Sequence, residues 1–213
     1  MGARILSVNT GTARAMPIGG KPGVSAIDKR RRVGPVAVGK LGLAGDEHGD
    51  TENHGGEDQA VYAYAREDLD WWTEVLGREV SNGEFGENVT TAGLDITGAL
   101  IGETWRMGEV IVQVTSPRIP CVTFSSWTGE EHWVRRFAAA GRPGAYLRVL
   151  AEGDIGAGDQ IDVIARPGQR VTVAESMRAY YGDAELMRSL LTVPGRSASW
   201  DEIAVQVLGR AAT

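Results

Sequence analysis

The sequence predicts an α+β protein that is mostly β: a barrel or sandwich of short strands with two inserted helices, then a small three-helix appendage. Three observations carry this. Apolar runs in the first 168 residues are short and separated by glycine-containing turns, the pattern of small closed or stacked sheets. Only two windows of that stretch repeat apolar residues at helical spacing. At Arg166-Pro167-Gly168 glycine thins and strand alternation ends. The expected units are therefore residues 1–167 and 168–213.

In chain order, the strand candidates are residues 4–8, 36–38, 104–106, 110–115, 145–150 and 160–164. Turns such as Ile101-Gly102-Glu103 and the glycine-rich stretch from Gly153 to Asp159 punctuate them. The window 66–76 places Leu69, Trp72 and Val75/Leu76 on one helical face, and 130–140 does the same for Trp133, Val134 and Phe137. Beyond Gly168, residues 173–181, 184–191 and 200–208 read as helices. Asp183 and Ser199 are the expected N-caps, and Ser199 has Glu202 three residues on, a capping box. Met177, Leu190 and Trp200 belong to more apolar surface than three short helices bury alone. This predicts docking against the sheet or a second copy of the chain.

A chain of 213 residues suits one large domain, or one with a small addition. The formal net charge of −6 argues against general nucleic-acid binding. Lys29-Arg30-Arg31-Arg32 is the local exception, either a solvated basic turn or a contact for an anion. A single cysteine excludes an intramolecular disulfide and fits a reducing compartment. The first eight residues lack the apolar core of a secretion signal. No apolar run is long enough to span a bilayer. The expected location is the cytoplasm, with no membrane partner.

Chemistry concentrates in a few places. Cys121 closes Ser116-Pro117-Arg118-Ile119-Pro120-Cys121, directly after a strand candidate. Two prolines hold that segment extended. Arg118, three residues earlier, favours the thiolate, which is the nucleophilic and metal-ligating form. The alternative is a small apolar core residue. The polar stretch from Gly45 to Asp58 holds His48 and His54 six residues apart, outside any helical metal motif. It reads as an acidic loop or a metal site. His54-Gly55-Gly56 can bring backbone N–H groups close to an anion. Ser25 and Lys29 can hold a phosphate at a loop edge; equally, Lys29 reads as a surface lysine. Asn88 in Phe85-Gly86-Glu87-Asn88 can face a heterocycle or bond its own turn. Tyr146 and Arg148 share one strand face, and Arg148 can line a pocket or pair with a carboxylate.

Taken in order, Ser25-Ala26-Ile27-Asp28-Lys29, Gly42-Leu43-Ala44-Gly45-Asp46, His54-Gly55-Gly56, Phe85-Gly86-Glu87-Asn88, Pro117-Arg118-Ile119-Pro120-Cys121 and Gly153…Gly158-Asp159 resemble the MOSC family. That family is named after the C-terminal domain of molybdenum cofactor sulfurase. The C-terminal helices resemble the extension of its stand-alone bacterial branch, which protects cells from N-hydroxylated purine bases. The resemblance implies a distorted β-barrel binding the molybdenum cofactor (molybdopterin), with Cys121 as the catalytic protein ligand to the metal. It makes Arg118, Lys29 and Ser25 candidates for the pterin phosphate, and His54, Gly55, Gly56, Asn88 and Arg148 candidate pocket liners. Family members commonly carry lysine or glutamine where Gln59 and His48 stand. The implied reaction is two-electron reduction of an N-hydroxylated small molecule to the amine. Electrons would come from a separate flavin or haem protein, because one cysteine cannot hold an iron–sulfur cluster. Two other readings stand beside it. One is a non-catalytic protein that binds or delivers the cofactor or a sulfur group, although no second cysteine is present for a persulfide relay. The other is hydrolysis at a divalent metal held by Asp46, His48, Asp50 and His54. A homodimer is a further expected assembly.

Overall fold

A computed structural model describes residues 2–47, 49, 55–168 and 170–211. The chain opens with β1 (Arg4–Thr10), then the hairpin β2 (Arg14–Ile18) and β3 (Lys21–Ser25). Three short strands follow: β4 (Arg30–Arg31), β5 (Val36–Gly39) and β6 (Gly42–Leu43). A 3-10 turn at Glu57–Gln59 leads into β7 (Val61–Ala65) and helix α1 (Arg66–Leu76). Next come β8 (Val89–Ala92), β9 (Thr104–Met107) and β10 (Val110–Pro117). Helices α2 (Val122–Thr128) and α3 (Trp133–Ala140) precede β11 (Ala145–Ala151), β12 (Gly153–Ile155) and β13 (Ile161–Ala165). The described chain ends with α4 (Val173–Tyr180), α5 (Ala184–Leu191) and α6 (Ser199–Ala211).

The main sheet runs β13-β9-β10-β11-β7-β8-β1-β4 and is mixed, since β7 and β8 pair in parallel while their neighbours are antiparallel. It curls until its ends approach. Arg4 and Gln160 form an isolated bridge, and the Ile161 N–H donates to the Ala3 carbonyl at 2.9 Å. Among the described residues no continuous ladder completes the circle, so the expected distorted barrel is a curled sheet with a seam. Every residue of β7 is buried, and the strand lacks the polar alternation that marks a half-exposed strand. That is why no period-2 signal flags it in the sequence.

Two further elements escape sequence patterning. The β2–β3 hairpin carries Pro17 and Pro22, which demote a run as a strand. It survives as a two-stranded ribbon turned by Gly19 and Gly20, with φ of 58° and 78°. Helix α2 is built from Val-Thr-Phe-Ser-Ser-Trp-Thr, which is poor in helix formers. Packing of the fully buried Phe124 and a left-handed Gly129 cap fix it instead. Among the described residues, three helices rather than two are therefore inserted among the strands.

Two apolar clusters form. One fills the curled sheet and includes Val173, Met187, Leu190 and Trp200 of the C-terminal helices beside Trp105, Val112 and Leu147 of the strands. The other is aromatic: Tyr64, Trp72, Phe85, Phe124, Trp133 and Phe137 gather under α1, α2 and α3. In it, Trp72 stacks on Phe137 at 5.8 Å and Phe85 meets Phe124 edge-on at 5.3 Å.

The C-terminal helices start where their caps allow. Asp183 caps α5 by accepting from the Leu186 N–H. The capping box lies at Thr172 and Glu175 of α4. Ser199, expected to be a cap, is already helical, and the Ser197 hydroxyl accepts its N–H at 3.3 Å. The segment before α6 is tied to the sheet. Asp58 accepts from Arg148 Nε at 2.8 Å and from the Ala198 N–H at 2.9 Å. The Ser197 N–H donates to the Thr115 carbonyl at 3.1 Å.

Trp200 is 1% exposed and donates its indole N–H to the Thr115 carbonyl at 3.3 Å. Trp200→Ala should cost about 3–5 kcal/mol, read as a lowered urea midpoint. Asp58 should make the junction acid-sensitive. Burial pushes its carboxyl up, but the Ala198 N–H, Arg148 and Ser197 outweigh that and hold it below the usual range. A depressed folded pKa means full stabilisation above the unfolded value and loss as pH falls through the folded one. Amide exchange in α6 should therefore accelerate below about pH 4, and Asp58→Asn should remove that dependence.

Candidate functional site

The site is built on a buried carboxylate. The Asp46 side chain is 3% exposed and pairs with Lys29 Nζ at 2.5 Å, itself 9% exposed. Its Oδ1 also accepts the Gly11 N–H at 2.7 Å, and its Oδ2 accepts Asn88 Nδ2 at 2.8 Å. The Asn88 Oδ1 takes the Tyr62 N–H at 3.0 Å, anchoring β7. Beneath lies Glu87, fully buried, accepting from the Phe85 N–H and the Thr90 hydroxyl as well as the Gly83 N–H. Burial pushes the Glu87 carboxyl up against the pull of those donors. Burial also lowers the Lys29 pKa, with Asp46 opposing.

Arg118 forms the second support. It follows β10 and is 7% exposed. Its Nη1 donates to the Phe85 carbonyl, and its guanidinium lies 4.0 Å from the Phe124 ring centroid and 5.0 Å from that of Tyr62. Aromatic faces and a carbonyl replace part of the water such a cation loses. Gly86, at φ 76°, leaves room here: a Cβ would stand 2.9 Å from Ile27 and 3.5 Å from Arg118.

Above these supports is a cavity of about 280 Å³. Ser25, Lys29, Gly55, Asn88, Arg118 and Cys121 all line it, although they are scattered through the sequence. Cys121 is partly exposed, caps α2 in extended conformation and packs against the aromatic cluster. Ser25 also accepts the Ile27 N–H at 3.2 Å. Gly55 and Gly56 have φ of 95° and 80°, which suit glycine. Gly55 reaches the cavity, while Gly56 starts the Glu57–Gln59 turn and is absent from the lining.

Arg148 lies elsewhere. It does share a face of β11 with Tyr146, as the alternation predicts. Two residues along a strand are about 7 Å apart. Tyr146 lines the cavity, whereas Arg148 pairs with Asp58 at 2.5 Å. His48, Asp50 and His54 fall outside the described residues. Asp46, the remaining member of the proposed divalent-metal set, is occupied by three donors. Among the described residues no group of three His, Cys, Asp or Glu side chains gathers as a metal site, and no helix is long and apolar enough to cross a membrane.

Tyr62, Tyr146, Gln59 and the acidic Glu47 also line the cavity, with Ile18, Val24 and Val122 among its apolar residues. Burial raises both phenol pKa values, with Arg118 opposing, so both phenols stay protonated at neutral pH. The strand alternation around Tyr146 was the one available signal for it; Tyr62 carried none, because its strand is buried on both faces.

The fold is a curled mixed sheet presenting one thiol beside a buried guanidinium and an ion-paired lysine. The MOSC domain profile matches residues 50–162, and the chain belongs to the MOSC domain family. YflK of Bacillus subtilis (strain 168) is 35% identical over 199 residues, 92% of this chain and 90% of YflK. A Gibberella moniliformis protein named "Reductase" is 32% identical over 178 residues, 82% of this chain but 31% of that protein. The crystal structure of YiiM from Geobacillus stearothermophilus superposes with a TM-score of 0.80 at 31% identity, covering 97% of this chain and 99% of that one.

Asp46→Ala would leave Lys29 buried without its counter-charge. It should destabilise the fold by about 3–5 kcal/mol, measured by urea unfolding. Asp46→Leu combined with Lys29→Met should recover much of that loss. A double variant as unstable as the single one would show that Asp46 acts mainly through Gly11 and Asn88.

Proposed function

We propose that this protein binds the molybdenum cofactor through Cys121 and reduces N-hydroxylated small molecules, such as N-hydroxylated bases, to amines. One observation carries the reading. The only thiol of the chain lines the same cavity as the buried Arg118 and the Asp46-paired Lys29. MOSC domains are associated with this cofactor, and one relative is named a reductase. The donor set fits: a thiolate is a soft ligand suited to a redox-active metal, and two cations suit an anionic pterin phosphate.

In this reading Cys121 Sγ is the protein ligand to the metal. Arg118 stands behind the thiol and stabilises its deprotonated form. Ser25, Lys29 and Gly55 face the cofactor's polar groups. Asn88 fixes the floor through Asp46 and Tyr62 rather than reaching freely into the cavity. Tyr146 holds its phenolic proton at Oη on the cavity wall. When bound, the cofactor supplies the two-electron centre by which N–OH, two electrons and two protons become N–H and water. The electrons come from a separate flavin or haem protein, since a single cysteine cannot hold an iron–sulfur cluster. The C-terminal helices correspond to the extension of the stand-alone bacterial branch.

Cys121→Ser tests the assignment. Serine is nearly isosteric but a far poorer ligand for a soft metal. Molybdenum content and reduction of N-hydroxylated substrate, per folded molecule, should both fall to background with the melting temperature nearly unchanged. Full turnover with a lowered melting temperature would reject the ligand role. Wild-type protein that holds molybdenum and pterin without turnover, when supplied with a reductant, would favour a carrier.

A further inference from the structure

Two cavities meet at this site. The larger, about 280 Å³, contains Cys121. Pockets for one small ligand run about 300–1,000 Å³, so this cavity is of a size for one ligand rather than for a cofactor and a substrate together. A second cavity of about 140 Å³ adjoins it and shares Gln59, Arg118 and Tyr146 with it. Its far wall is helix α6, through Ser199, Trp200 and Ile203.

The chemistry of this second chamber is specific. The Gln59 amide can donate and accept, and the exposed Ser199 hydroxyl, paired with that of Ser197 at 2.9 Å, keeps capacity for a further bond, while Trp200 and Ile203 are apolar. Arg118, a buried cation, stands on the partition and disfavours a cationic occupant. The volume equals roughly five waters at about 30 Å³ each, enough for the ring of a single base and too little for a nucleotide. The chamber is also held in place. Asp58, next to Gln59, binds the Ala198 N–H, and Trp200 is pinned to Thr115.

We propose that this chamber seats the substrate, an uncharged planar N-heterocycle of single-base size, with its N-hydroxyl directed past Gln59 and Tyr146 toward Cys121. Ser199, Trp200 and Ile203 then determine specificity. The inference rests on the reductase reading, and its test includes an arm independent of turnover.

Protein from cofactor-competent cells is titrated with adenine, using NMR shifts for affinity and crystal soaking for position, with adenosine monophosphate as the size control. Adenine should lie between Gln59 and Trp200, adenosine monophosphate should not enter, and Ile203→Trp should weaken adenine at least tenfold. Ile203→Phe serves as the milder filling variant if the tryptophan variant does not fold. No binding, binding in the Cys121 cavity, or equal binding by wild type and the filled variant would overturn the chamber assignment. In turnover assays, Ile203→Trp should raise KM for N-hydroxyadenine at least tenfold with molybdenum content unchanged. Absence of turnover in wild type, with adenine still bound in the chamber, would overturn the reductase reading and leave the site standing.

Discussion

The site depends on one buried ion pair. Asp46 gathers Lys29, the Gly11 N–H and Asn88 around a carboxylate that is 3% exposed. A carboxylate taken from water must be compensated nearly completely. Each of its donors comes from a different part of the chain: the turn after β1, the loop before β4 and the loop before β8. Satisfying that single charge therefore fixes the relative positions of three loops. Asn88 extends the constraint to β7 through the Tyr62 N–H.

Arg118 is the complementary case. A guanidinium is more weakly hydrated than an ammonium and stacks on aromatic faces, so it tolerates burial between Phe124 and Tyr62. The aromatic cluster of α1, α2 and α3 is consequently part of the site's construction, because it supplies the rings on which that cation rests. The result is a partly apolar wall beside Cys121 that carries a guanidinium with no carboxylate against it among the described residues. In such a wall, electrostatic interactions exceed those of a solvated lysine patch.

The residues lining the cavity were legible mainly through the order of their segments. Ser25, Lys29, Asn88, Arg118 and Cys121 are singled out by short segments whose order along the chain resembles the MOSC family, local residue types alone leaving Lys29 equally a surface lysine, and the fold brings all five to one cavity. Partners across the fold were not legible. Nothing adjacent to Asp46 indicates that it neutralises Lys29, and nothing adjacent to Arg148 indicates that Asp58 binds it. Those pairings depend on strand order and register. Gln59 stands beside two cavities only because its turn lies between β11 and α6.

The sequence by itself determined the α+β class, helix α1, the approximate extents of six strands and of the C-terminal helices, and the Asp183 cap of α5. Periodicity, glycine placement and capping are local and survive without knowledge of neighbours. Tertiary structure decided the rest. It made β7 a central strand, forced a helix onto the weak sequence after Cys121, joined the C-terminal helices to the core of the sheet, and drew the sheet's ends together at Arg4 and Gln160. Each of these follows from burial and hydrogen-bond satisfaction between segments far apart in the chain, which no local pattern encodes.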